Sequence, residues 1–181
     1  MDLYAANRPV EPLHSARLML RALTPDDLPW VCAACDNYEV SKWLVMVPHP
    51  YTMSDAKDFL AMDHRGELGA LWIICQGGVP KGVISCGDEL GYWLDPVAWG
   101  QGIMTEAGTA VVATLFSDPD RAEIRSSHFV ENHGSRRVLE KLGFQDVGAH
   151  LHFSKARQAD VPGRLMLLTR ERWQTLRNVA Q

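Results

Sequence analysis

A chain of 181 residues, 46% of them apolar, is long enough for one domain that buries about 70% of its extended surface without a disulfide or metal staple. Its formal net charge of −4, with acids and bases interspersed, excludes a basic nucleic-acid-binding face and a polybasic membrane-binding surface, and leans slightly toward cationic ligands. No apolar run approaches the roughly 18 residues that span a bilayer, and the first nine residues, with Asp2 and Arg8, lack a leader's apolar centre, so a cytoplasmic protein is expected.

In chain order, Arg17 to Ala22 predicts a strand. Thr24 then caps a helix with Pro25 first inside it and Asp26 and Asp27 in the first turn. Leu28, Val31, Cys32 and Cys35 follow at i, i+3, i+4 and i+7, which puts both thiols of the C-x-x-C pair on a buried stripe. No second cysteine pair or histidine pair completes a zinc site, so no metal is expected and all four cysteines are expected to stay thiols. A loop from Asp36 to Met53, rich in proline and aromatics, leads to a helix started by Ser54 and ending near Gly66. Ala70 to Gln76 and Lys81 to Gly87 predict two strands around a turn at Val79-Pro80-Lys81-Gly82, with Cys75 and Cys86 facing each other across the hairpin.

The stretch Glu89 to Ala107 combines a strand, a glycine turn and a helix start. Leu90, Tyr92 and Leu94 alternate with Glu89, Gly91 and Trp93, and Asp95-Pro96 stops the strand. Gly100-Gln101-Gly102 follow, and from Ile103 the apolar residues recur close to every 3.6 positions as far as Phe116. Glycine lets a ligand approach the backbone, and the orphan amides and positive dipole end of a helix start favour a phosphate group. A Walker loop is excluded because no Gly-Lys-Ser/Thr occurs. A dinucleotide fingerprint lacks its third glycine, since Met104 is followed by Thr105. Beyond this helix, a turn at Ser117-Asp118-Pro119-Asp120 precedes a strand from Glu123 to Val130, and Asn132 caps a short helix. Gln145 to Lys155 and Arg164 to Leu168 predict a closing pair of strands around a polar loop holding Val161-Pro162-Gly163, and a last helix starts near Glu171.

The segment from Glu89 to Ala107 resembles motif A of the GNAT superfamily of acetyl-CoA-dependent N-acetyltransferases. Asn132 to Phe144, reading N-H-G-S-R-R-V-L-E-K-L-G-F, resembles the signature of that superfamily's Rim-type branch, which includes ribosomal-protein N-terminal acetyltransferases. With Arg17-Leu18, Val40 to Leu44, Pro50-Tyr51-Thr52 and Leu168 to Trp173, the resemblance covers residues 15 to 175. It implies one domain over 1–181, with 1–12 as an N-terminal extension. The implied fold is α/β, a mixed and largely antiparallel sheet of about seven strands with helices on both faces, whose fourth and fifth strands splay to admit the pantetheine arm.

The resemblance also implies roles. The loop Trp99, Gly100, Gln101, Gly102, Ile103, Met104 and Thr105 would hold the diphosphate of acetyl-CoA, and Asn132 and Ser135 would contact the pantetheine chain. A backbone amide at Trp93 or Leu94 would polarise the thioester carbonyl. Glu89 is the candidate general base, desolvated by Trp93 and Leu94; the competing reading is a solvated carboxylate beside Asp88. Many relatives place a tyrosine acid where this chain has Leu139, so Ser135 is the candidate donor to the departing thiol, unless it only makes a first-turn backbone bond. Tyr38 and Trp43 are candidate walls of the acceptor pocket. Trp99 and Met104 depart from motif A at positions usually polar and small. Arg136 and Glu140 read as a solvated ion pair.

Direct transfer to a primary amine, on a protein N-terminus or a small molecule, is the activity implied; a catalytically inactive coenzyme A-binding sensor or scaffold is the alternative. The residues are compatible with a homodimer.

Overall fold

The computed structural model describes residues 10–179. Residues 1–9 of the expected N-terminal extension lie outside that range. Eight strands form one sheet: β1 (Leu13–His14), β2 (Leu18–Arg21), β3 (Ala70–Gln76), β4 (Val79–Cys86), β5 (Leu90–Leu94), β6 (Glu123–Phe129), β7 (Gln145–Ser154) and β8 (Ala159–Thr169). They lie in the order β1-β2-β3-β4-β5-β6-β8-β7, and every pair is antiparallel except β5 with β6. The strand beyond the seven expected is β1, whose two residues are too few to show a period.

Helices cover both faces. The helices are α1 (Leu28–Asp36), α2 (Tyr38–Ser41), α3 (Met53–His64), α4 (Ile103–Leu115), α5 (His133–Leu142) and α6 (Arg170–Val179). In β3 the alternation divides the side chains: Ala70, Trp72 and Ile74 join the core under α4 and α5, while Leu71, Ile73 and Cys75 join the core under α1 and α3. A strand covered on both sides has no polar face, which explains its unbroken apolar run. Each fully buried aliphatic such as Ile73 or Ile74 contributes about 1.5–3 kcal/mol.

The first helix begins where Thr24 predicts, through a 3-10 turn at Pro25–Asp27. The Asp27 carboxylate accepts from the Thr24 amide and hydroxyl, both at 2.9 Å. Leu28, Val31 and Cys35 are buried as expected, whereas Cys32 is only half-buried. The second long helix is capped by Thr52, not Ser54: the Thr52 hydroxyl oxygen accepts from Asp55 N–H at 3.3 Å, and Asp55 accepts in return from Thr52 N–H at 2.7 Å.

Three other expectations are corrected. The β3–β4 turn is Gly77-Gly78, with φ of 57° and 79°, so Val79 and Pro80 are strand residues; two consecutive positive φ values select glycine. Cys75 consequently pairs with Pro80 and Cys86 with Ala70, and the two thiols sit in opposite cores. Val161-Pro162-Gly163 is part of β8, not a loop. The Pro162 carbonyl accepts from Val130 N–H, just past Phe129, the last β6 residue paired with β8. The missing N–H of Pro162 lies on that side, so the ladder to β7 loses nothing.

Candidate active site

The one parallel contact among the described strands makes the cleft. β5 and β6 pair at Leu90 and Ser126, where the Ser126 hydroxyl also donates to the Leu90 carbonyl at 2.7 Å, and beyond that point β5 follows β4 while β6 follows β8. Because the two strands run the same way, the helices that follow them, α4 and α5, present their N-termini at the same end of the wedge. The resulting cleft has a volume of about 880 Å³ and is lined from both strands and both helix starts.

Antiparallel register decides which β5 groups face the opening. Asp95 N–H donates to Lys81 O at 2.8 Å, and counting back through the unbroken β4–β5 register makes Val83–Trp93 and Ser85–Gly91 the hydrogen-bonded pairs. The backbone groups of Trp93 are therefore spent on β4, and those of Leu90, Tyr92 and Leu94 point to the wedge. Of the two amides expected to polarise a carbonyl, Leu94 has the right direction and Trp93 does not. The Trp93 side chain instead stacks on Trp30, with centroids 5.2 Å apart, while still lining the cleft.

The glycine loop sits at the mouth. Gly100 and Gly102 have φ of 73° and 74°, and the first bond of the α4 ladder runs from Glu106 N–H to Gly102 O. The amides of Ile103, Met104 and Thr105 precede that bond and are the orphan donors of the helix start. Ile103 and Met104 bury their side chains, so methionine at this position costs the loop nothing. A β-carbon on Gly100 would meet no atom within 4 Å, which leaves open space against the backbone for a phosphate. Trp99 donates its indole N–H to the Leu94 carbonyl at 3.0 Å, closing one β5 acceptor and tying loop to strand. Gln101 does not line the cleft, because its side chain turns back to donate to Val97 O at 2.7 Å.

Two contributions were not foreseen. α5 sets His133, Arg137 and Lys141 along the cleft at i, i+4 and i+8, a basic stripe legible in the sequence once the helix register is known. Arg136 and Glu140 form the expected exposed ion pair at 2.8 Å. The other contribution is Tyr92, whose hydroxyl lies 2.9 Å from Ser135 Oγ and donates to the Ser135 carbonyl at 3.2 Å. Burial pushes this phenol above its ordinary range, and the hydrogen bond to Ser135 opposes that only in part. Ser135 N–H donates to the Asn132 cap at 3.0 Å, so cap and serine are fixed together.

Glu89 and Trp43 also line the cleft. Glu89 is exposed, so the expected desolvation by Trp93 and Leu94 is not found in the chain alone; its carboxylate accepts from the Ser127 hydroxyl at 2.8 Å. Nearby, burial and His150 hold the His152 imidazole below its usual value against an opposing pull from Glu89. Trp43 lies beneath the Arg157 guanidinium, 4.9 Å from its centroid, and Arg157 reaches on to Glu131 at 2.9 Å. Tyr38 is not in the cleft wall. α2 buries Val40, half a turn away, which turns Tyr38 outward onto His49.

A family model for the acetyltransferase (GNAT) domain matches residues 17–145. The chain belongs to the GNAT acetyltransferase family. It is an acyl-CoA-dependent acetyltransferase, and the expected mixed sheet with flanking helices is the family's fold. It is 26% identical over 162 residues to "Uncharacterized N-acetyltransferase p20" of Bacillus licheniformis, covering 82% of this chain and 90% of that one. It is 28% identical over 149 residues to "Uncharacterized N-acetyltransferase YoaA" of Bacillus subtilis, covering 75% and 84%. In fold it is similar to RimL, a ribosomal L7/L12 α-N-protein acetyltransferase solved with coenzyme A, with a TM-score of 0.75 and 19% identity over 88% of this chain and 98% of that one. Spermidine N-acetyltransferase from Vibrio cholerae, in complex with coenzyme A and spermine, gives 0.74 and 16% over 88% and 99%. Among the described residues of the acetyltransferase no helix is long and apolar enough to cross a membrane.

Proposed function

We propose that the chain transfers the acetyl group of acetyl-CoA directly to a primary amine, with both substrates bound at once, as a member of the Rim-type branch. The observation that carries this reading is the wedge between β5 and β6, open beside a glycine loop with positive φ and lined by a basic helix stripe. Loop amides, Arg137 and Lys141 match a diphosphate, and the free edge of β5 matches the amides of a pantetheine arm laid down like an added strand. Acetyl-CoA supplies the acyl group already activated as a thioester.

The chain's own groups supply the rest. Glu89 receives the proton that the amine must lose, held at its strand end by the Ser127 hydroxyl. Leu94 N–H donates to the carbonyl oxygen as negative charge grows there. Ser135 faces the sulfur that leaves. Trp43 walls the acceptor side, and the Glu89 carboxylate favours an acceptor that arrives as a cation. A protein N-terminus and a small-molecule amine both meet that description. The test is thiol release from acetyl-CoA across a panel of peptides and small amines. Release with one of them supports transfer; coenzyme A binding without release from any of them favours the sensor or scaffold alternative.

A further inference from the structure

Leu139 is sealed in the core with no exposed surface, yet a phenol still reaches Ser135, from the opposite wall of the cleft. Tyr92 comes from β5 and Ser135 from the first turn of α5, 43 residues on, so the contact ties together the two walls of the wedge. Both residues line the cleft. We propose that Tyr92 is a positioning residue that turns the Ser135 hydroxyl proton outward, toward the sulfur of coenzyme A; the inference rests on the proposed binding mode, not on the acceptor.

Tyr92 has one O–H and two oxygens within reach, the Ser135 carbonyl at 3.2 Å and Ser135 Oγ at 2.9 Å. When the phenol donates to the carbonyl, its lone pair takes the serine proton and the serine is silent toward the cleft. When the phenol donates to Oγ, the serine proton is released from Tyr92 and points to the open side. Negative charge on a sulfur in the cleft selects the second arrangement, and a hydroxyl that accepts one hydrogen bond donates a stronger one.

No proton leaves Tyr92 in this scheme. Burial disfavours tyrosinate, so the phenol remains a donor throughout the neutral range. An aliphatic hydroxyl ionises far above a thiol, whose ordinary value is about 8.5, so Ser135 cannot hand its proton over outright. As the C–S bond breaks, the electron pair stays on sulfur, the pair Tyr92–Ser135 stabilises that thiolate by hydrogen bonding, and solvent later protonates it.

The experiment reads the thiol directly. Free coenzyme A is bound to the wild-type chain, to Tyr92→Phe, to Ser135→Ala and to the double variant, and the ultraviolet absorbance of the thiolate is followed as pH is raised. The bound thiol should titrate about one unit lower in the wild type than in Ser135→Ala, the size of one charge-assisted hydrogen bond. Tyr92→Phe, which keeps the ring that packs on the core, should lose a measurable part of that difference, and the double variant should lose no more than Ser135→Ala alone. Titration of Tyr92→Phe at the wild-type value, additive losses in the double variant, or no binding of coenzyme A by calorimetry each overturns the inference. The expected titration shifts without thiol release from any amine would uphold it and remove only the transfer reading.

Discussion

Arg17 and Glu106, 89 residues apart in the chain, form a clamp behind the glycine loop. Arg17 Nε lies 2.7 Å from Glu106 Oε2, its Nη2 donates to the Gln101 carbonyl at 3.2 Å, and its backbone N–H together with the Ser15 hydroxyl fills Glu106 Oε1. The Ser15 hydroxyl first, then Arg17, outweigh the small burial penalty and hold the Glu106 carboxyl below its usual range. The turn between β1 and β2 thereby fixes the loop that precedes α4.

This clamp is half-open to water, so its ion pair adds little to global stability, but it sets the direction of the loop amides. Arg17→Ala should weaken coenzyme A binding by about fivefold, equivalent to roughly 1 kcal/mol, while moving the melting temperature by only a degree or two. Calorimetry and thermal denaturation on the same samples check both halves.

Gly100 tests the loop itself. Its φ of 73° costs an L-residue about 1–2 kcal/mol, and the added methyl group would enter the open space assigned to the diphosphate. Gly100→Ala should therefore lower coenzyme A affinity by about tenfold or more, out of proportion to its effect on melting. Equal affinity in variant and wild type would remove the phosphate assignment.

Glu89→Gln should reduce kcat by about a hundredfold or more and leave the dissociation constant of coenzyme A unchanged, because the carboxylate is assigned to the amine proton and to nothing on the cofactor. Steady-state rates with any accepted amine check it, and normal turnover would make Glu89 the solvated carboxylate that its exposure resembles.

A stability prediction follows from Asp27. Burial raises its carboxyl, but bonds from Arg21 at 2.7 and 2.8 Å and from Thr24 win, leaving it below the ordinary value near 3.9. A depressed folded value means that the stabilisation is complete above the unfolded value and is lost as pH falls through the folded one. Asp27→Asn should cost about 2 kcal/mol at neutral pH, roughly 4–8 °C in melting temperature, and should show a shallower loss of stability than the wild type below pH 4 or so. Chemical denaturation across that pH range measures the slope.

Local signals were legible wherever one residue's chemistry decides the outcome. Thr24 and Asn132 cap helices, Gly100 and Gly102 take the positive φ that their turn requires, and the alternation from Leu90 to Leu94 is a strand, because each depends on neighbours within a few residues. Signals that depend on a partner are not decided locally. Pro80 and Pro162 look like strand breakers until the sheet shows that one lies beside an irregularity between Ile74 and Cys75 and the other turns its missing donor past the end of β6. Tyr38 and Trp43 look alike as aromatics in one loop, and only packing turns one outward and sets the other in the cleft.

The sequence by itself determined the order of the longer elements and the glycine loop with its helix, since these are carried by spacing and backbone preference along the chain, and its two motifs carried the resemblance to the family. Tertiary structure alone decided which β5 amide faces the cleft, that Arg17 braces the loop, and that a tyrosine on one strand meets a serine on a distant helix. Those are through-space relations set by register and by the divergence of β5 from β6, which no local pattern encodes.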